Sequence, residues 1–134
     1  MITRRFFALA SVALLLAACG KSGERCATCG MKIDPSSAFR AEVVSGGETK
    51  AFDTPRCAIT AFRKSGGTVR VQEFYSRAWV DASSVKLVLG SDVMGPMGQE
   101  LVAVDAAKVE KFMHDHGGTR ALSLAEVDDA VLSQ

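Results

Sequence analysis

The chain has 134 residues and sets 16 lysines and arginines against 15 acids, with only 7% aromatic residues. That length allows one domain with its own core. The near-zero net charge argues against a basic nucleic-acid footprint or a polybasic membrane patch, and the few aromatics argue against a base-stacking surface.

The N-terminus reads as an export signal. Arg4 and Arg5 form a basic start, and Phe6 to Ala18 is apolar but too short to span a bilayer. The end of that run, Leu16-Ala17-Ala18-Cys19, resembles a bacterial lipobox, with cleavage before Cys19 and lipid on its thiol. An ordinary signal peptide is the alternative. Thr3-Arg4-Arg5-Phe6-Phe7 fits either a twin-arginine signal or a plain basic region, so the export route stays open between Tat and Sec. The expected division is residues 1–18 as signal peptide, 19–25 as lipidated tether and 26–134 as the domain. Removing the signal takes two arginines and no acids, leaving 16 − 2 = 14 basic side chains against 15 acidic ones. With Cys19 lipidated, Cys26, Cys29 and Cys57 remain, an odd number that a pure disulfide framework cannot use up. In an oxidising compartment a metal would give the spare thiol a reason.

Cys26-Ala27-Thr28-Cys29-Gly30-Met31 comes next, and Asp34-Pro35-Ser36-Ser37 reads as a turn. Phe39 to Val44 alternates like a half-buried strand, Ser45-Gly46-Gly47 turns it, and Thr49 to Phe52 returns. Asp53 or Thr54 can cap a helix that begins at Pro55. Ala58, Ile59, Ala61 and Phe62 give that helix its apolar stripe, and Gly66-Gly67 ends it. Val69 and Val71 mark a third strand. Phe74 to Ala82 reads as an extended connection or edge strand, with Trp79 as a core anchor.

The pattern then repeats. Val85 to Leu89 is a strand, Gly90 to Gly98 a loop, and Glu100 to Val104 a strand. Asp105 caps a helix that turns Val109, Phe112 and Met113 inward, Gly117-Gly118 ends it, and Thr119 to Leu122 closes the unit. A short helix follows Ser123, with Glu126 spaced for a capping box. The expected fold is α+β, two similar strand-strand-helix-strand units packed as one small domain.

The sulfur-bearing stretch admits several chemistries. A redox Cys-x-x-Cys pair expects its second cysteine to lead into a helix, which Gly30 and Asp34-Pro35 interrupt. Zinc wants about four ligands, and no second pair at finger spacing is present; His114 and His116 sit two apart, on different faces of a helix. A structural disulfide remains open. Copper(I) fits thiolate and thioether donors and accepts two or three of them. In an extended segment Cys29 and Met31 would point to one side. Met94 and Met97 flank Gly95-Pro96. Met97, between Pro96 and Gly98, suits exposed presentation, whereas Met94 is left open. Cys57 could be a small buried hydrophobe, a further soft ligand or a partner for Cys26.

Taken in order, Cys26-Ala27-Thr28-Cys29-Gly30-Met31, Phe52-Asp53 with Cys57, Trp79-Val80-Asp81-Ala82, Gly90-Ser91 and Gly95-Pro96-Met97-Gly98 resemble the nitrous oxide reductase accessory lipoprotein family, NosL. The resemblance implies a copper(I) metallochaperone rather than an enzyme. It implies lipid anchoring through Cys19 and a periplasm-facing location, with the outer membrane favoured. It further implies copper delivery for the centres of nitrous oxide reductase in denitrification, beside an ABC-type transporter and its periplasmic partner. Carried over by position, Cys29 and Met31 match the metal-binding motif and Met97 a further ligand. Cys26 and Cys57, with Met94, are auxiliary metal or redox candidates. The rival readings are a lipid-anchored thiol–disulfide oxidoreductase using Cys26 and Cys29, and a structural lipoprotein with a disulfide.

Overall fold

A computed structural model describes residues 23–134. The expected signal peptide, the expected lipobox and Cys19 lie outside the described residues. Among the described residues no helix is long and apolar enough to cross a membrane.

The first unit runs β1 (Ala41–Ser45), β2 (Glu48–Phe52), α1 (Pro55–Ser65) and β3 (Thr68–Gln72). β1 is central, with β2 antiparallel on one side (Ala41 opposite Phe52) and β3 antiparallel on the other (Val43 opposite Val69). β4 (Trp79–Asp81) adds an edge strand beyond β3. The second unit repeats this order with β5 (Lys86–Ser91) central, β8 (Val102–Val104) and β9 (Gly117–Leu122) beside it, and α2 (Val109–His116) between those two. The helix stops match as well. Gly66 and Gly117 both sit at φ 73°, a left-handed value that suits glycine, and each donates its N–H to the carbonyl four residues back. The α+β duplication expected from the glycine pairs is therefore visible in strand order and in capping.

The units differ in the first connection. β1 and β2 are joined by the Gly46-Gly47 turn, whereas β5 and β8 are separated by a small hairpin, β6 (Met94–Gly95) and β7 (Gly98–Gln99), with Pro96 and Met97 at its tip. This stretch was expected to be a loop.

One core serves both units. Ala41, Val43, Phe52, Ile59, Val69 and Val71 of the first pack with Leu87, Leu89, Leu101 and Leu122 of the second and with Val127 and Val131 of the tail. β5 is buried on both faces, because Val88 turns the other way to meet Val102, Val104 and Phe112 beneath α2. Complete burial of one such side chain is worth about 1.5–3 kcal/mol. The tail forms a short 3-10 turn, where Glu126 reaches back to the Ser123 N–H at 3.1 Å, then α3 (Asp129–Leu132).

Trp79 corrects an expectation. It is half-buried on the edge strand, with the guanidinium groups of Arg40 and Arg70 at 5.7 and 6.0 Å from its ring, and does not anchor the core. Its strand pairs on one side only, so its ring is left for the arginines to cover.

A buried carboxylate ties the units together. Glu73 accepts the N–H groups of Tyr75 and Ser76 at 2.9 and 2.7 Å and, across the seam, that of Asp105 at 3.2 Å. Burial works to raise its pKa, but these donors outweigh burial and hold the group below its ordinary value. A depressed carboxylate contributes stability above its unfolded pKa of about 4.3, and loses it as pH falls through the lower folded value. Glu73→Ala should cost about 3 kcal/mol at pH 7 in denaturant melts, and the cost should shrink as the pH is taken below about 4. A variant with wild-type stability at pH 7 would contradict this role.

Candidate metal centre

The Cys26–Met31 stretch is a tight turn, not the extended segment expected. Arg25 and Lys32 bridge as antiparallel partners, the Cys26 N–H donates to the Met31 carbonyl at 2.8 Å, and the Gly30 N–H to the Cys26 carbonyl at 2.9 Å. Gly30 lets the chain reverse by taking φ 76°. The same-side argument for Cys29 and Met31 therefore fails, since it needed strand geometry. Two contacts fasten the turn to the first unit: the Ala27 N–H to the Ala51 carbonyl of β2 at 3.0 Å, and Thr28 Oγ1 to the Cys57 carbonyl of α1 at 2.9 Å.

This docking brings distant thiols together. One ligating atom each from Cys26, Cys29, Cys57 and Asp53 lie within 4.8 Å of one another. Cys26 and Cys57 are buried, Cys29 is exposed, and all three are free thiols. The Cys29 thiol donates toward the Asp53 carboxylate, with its oxygens at 3.5 and 3.6 Å.

Asp53 is the residue that sequence reasoning missed as a site group, having considered it only as a helix cap. The cap is Thr54, whose Oγ1 accepts the Cys57 N–H at 3.2 Å. In the second unit, one residue shorter here, Asp105 itself does the capping, accepting from Ala107 N–H at 3.0 Å. The extra residue in the first unit takes over the cap and leaves the buried aspartate to face the sulfurs. The signal was the mismatch in spacing between the two Asp…Gly-Gly intervals.

The methionines separate. Met31, Met94 and Met97 are 42%, 66% and 55% exposed, and they are the large exposed hydrophobic residues among those described. Met97 borders a cavity of about 260 Å³ together with Cys57, Arg56 and Gln99, so of the clustered groups it shares a cavity wall with Cys57. Met94 borders a different cavity at the seam, with Phe39, Phe74 and Leu101. Met113 is half-buried against the second unit's core. His116 stacks near Phe112 and Phe74 and meets Asp92 at 3.0 Å, and His114 is exposed, so neither joins the cluster.

The electrostatics favour the protonated thiol at Cys29 and at Cys57 in the metal-free protein. Desolvation raises the Cys29 pKa, the Met31 N–H opposes it, and Cys26 and then Asp53 push it up again. Burial drives the Cys57 thiol far upward, against the pull of Thr54. Three thiols and a carboxylate form a donor set able to hold a metal ion.

A family model described as NosL matches residues 20–132. The chain belongs to the NosL family. Two solved structures are similar. "Crystal structure of the copper chaperone NosL from Shewanella denitrificans" superposes with a TM-score of 0.67 at 21% identity, over 80% of this chain and 91% of that one. "Solution NMR structure of the apo-NosL protein from Achromobacter cycloclastes" gives a TM-score of 0.46 at 19% identity, over 69% and 87%. The first likeness carries the NosL fold, with its mixed sheets and few helices, to this chain; the second is too loose to add to it. No curated protein matches the chain.

A thiol-modification test follows from the burial pattern. Iodoacetamide should modify Cys29 first in the folded, reduced protein, with Cys26 and Cys57 protected until unfolding. Asp53→Asn removes a negative charge beside Cys29, so its pKa should fall and its modification at pH 8 should speed up several-fold. Peptide mass spectrometry reads both, and an unchanged or slower rate would contradict the assigned contact.

Proposed function

We propose that this NosL-family chain is a copper(I)-binding metallochaperone and not an enzyme. The single observation that carries the reading is the convergence of Cys26, Cys29 and Cys57 with Asp53 within 4.8 Å of one another, Met97 lining a cavity that Cys57 also borders. Soft thiolate and thioether donors select copper(I) over harder ions. Membership of the family, and the description of the Shewanella protein as a copper chaperone, support the same reading.

The proposed ligands are Cys29, Met31 and Met97, with Cys26 and Cys57 available as further thiolates. Met94 has the weakest geometric support. Copper(I) binding displaces the thiol proton of Cys29, and the Asp53 carboxylate is placed to receive it before it passes to solvent. The exposed thiol and thioethers let an incoming donor take a coordination position before an outgoing one leaves. The metal keeps its oxidation state, so transfer needs no electron donor.

The proposed setting is the periplasm, with the chain held to a membrane, the outer one favoured, by lipid on Cys19. The proposed acceptor route leads to the copper centres of nitrous oxide reductase through an ABC-type transporter and its periplasmic partner. The oxidoreductase reading is disfavoured by the raised Cys29 pKa, because thiol exchange wants a lowered one, and by the burial of Cys26.

Titration of the reduced protein with copper(I) against a competing chelator tests this. Met31→Leu and Met97→Leu should each weaken binding by about tenfold, or about 1.4 kcal/mol, and Cys29→Ser by more. The loaded protein should also surrender copper to apo nitrous oxide reductase or its assembly partner. Binding indifferent to all three substitutions, or insulin reduction that depends on Cys26 and Cys29, would overturn the proposal.

A further inference from the structure

Glu100 is a carboxylate in an unusual place. It lies between β7 and β8, three residues after Met97, and is only 1% exposed. Its Oε1 accepts the Leu101 N–H at 2.9 Å and, from the other unit, the Arg56 N–H at 3.3 Å. Arg56 is the second residue of α1, so this is one of the unpaired donors at a helix start, where an anion is favoured. The Arg56 Nε is 3.7 Å from the same oxygen. Glu100 Oε2 and Arg56 Nε are both buried without hydrogen-bond partners. A well-packed protein rarely leaves such atoms unpaired without a use for them.

The other side of the Glu100 side chain supports the methionine hairpin. A Cβ added to Gly95 would lie 3.3 Å from Glu100 Cβ and 3.4 Å from its Cγ, so the glutamate stem runs against the β6 strand. One side chain thus touches the hairpin whose tip is Met97 and the first turn of the helix that carries Cys57. Arg56 extends the link, its Nη1 donating to the Val131 carbonyl in α3 at 2.7 Å.

From this geometry we infer that Glu100 is a positioning residue that holds the Met97 hairpin in place over the helix start bearing Cys57. The inference rests on the copper(I) reading in that it assigns Met97 as a ligand. Glu100 touches no proposed ligand and acts through the backbone of the hairpin and of α1. Its charge state bears on the strength of the link. Burial pushes the carboxyl up to about 7, with Leu101 N–H and Arg56 pulling it down and Asp53 pushing it up. Arg56 from α1 and Asp53 from the β2–α1 turn are the charged groups that face it. Ionised, Glu100 draws in the helix N–H and the guanidinium. Protonated, it loses most of that attraction and the hairpin is held less firmly.

Two arms test the inference. In the first, metal-free protein labelled at the methionine methyl groups is followed by NMR, with Met113 as internal reference. The Met97 methyl resonance should move in Glu100→Ala and, less, in Glu100→Gln, while Met113 stays put. In wild type it should also shift as the pH passes through about 7, and that shift should vanish in Glu100→Gln. A Met97 signal blind both to the substitutions and to pH would overturn the inference. Glu100→Gln keeps the volume and an acceptor oxygen, so it decides the matter if Glu100→Ala fails to fold. In the second arm, copper(I) affinity is measured for Met97→Leu, Glu100→Gln and the double variant. If Glu100 acts through Met97, the double variant should bind within about threefold of Met97→Leu alone, whereas multiplied losses would place Glu100 outside the Met97 pathway and overturn the inference. A wild-type protein that bound no copper(I) would sink the metallochaperone reading and leave the NMR arm to judge the positioning claim.

Discussion

The site depends on the docking of a six-residue turn onto the helix-bearing first unit. Two hydrogen bonds, from Ala27 N–H to β2 and from Thr28 Oγ1 to the first turn of α1, hold Cys26 to Met31 against the domain. Burial of Cys26 and Ile33 in the common core adds the apolar part of that attachment. Without the docking, Cys29 would be an isolated thiol on a tether. With it, Cys29 lies beside Cys57 and Asp53, which come from residues more than twenty positions away in sequence.

Duplication supplies the scaffold, and two local departures from it make the site. One is the extra residue in the first unit that moves the helix cap from aspartate to Thr54 and leaves Asp53 buried among sulfurs. The other is the β6–β7 hairpin, inserted where the first unit has only a glycine turn, which sets Met97 on a cavity that Cys57 also lines. Each unit contributes one departure, and Glu100 bridges them. A metal held there would sit across both halves of the fold, supported by a core that both halves share.

Much of this was legible in the sequence. Period-two alternation located β1 and β3, proline and paired glycines bounded α1, and a second Asp…Gly-Gly interval exposed the repeat. Cys29 and Met31 stood out as soft donors one residue apart, and Met97 by its place between Pro96 and Gly98. What the sequence hid was mostly long-range. The pairing of Cys29 with Met31 was argued for an extended segment, because no local pattern reveals that Arg25 and Lys32 bridge and close a turn. Trp79 looked like a core anchor even on an edge strand, because the arginines that cover its ring, Arg40 and Arg70, come from outside that strand. Asp53 was read as a helix cap and Glu100 as the start of a strand, and nothing local marks an acid as buried, since charge ordinarily means exposure. Both are buried, and both lie where the two units and the turn converge.

The central claim is that this convergence selects a soft metal through sulfur, and X-ray absorption at the copper edge measures that directly. Protein loaded with one equivalent of copper(I) under reducing conditions should show a reduced-copper edge and a first shell made of sulfur alone, with its sulfur count falling when Met97 is replaced by leucine. A shell dominated by nitrogen or oxygen, or one unchanged by loss of both Met31 and Met97, would contradict the account.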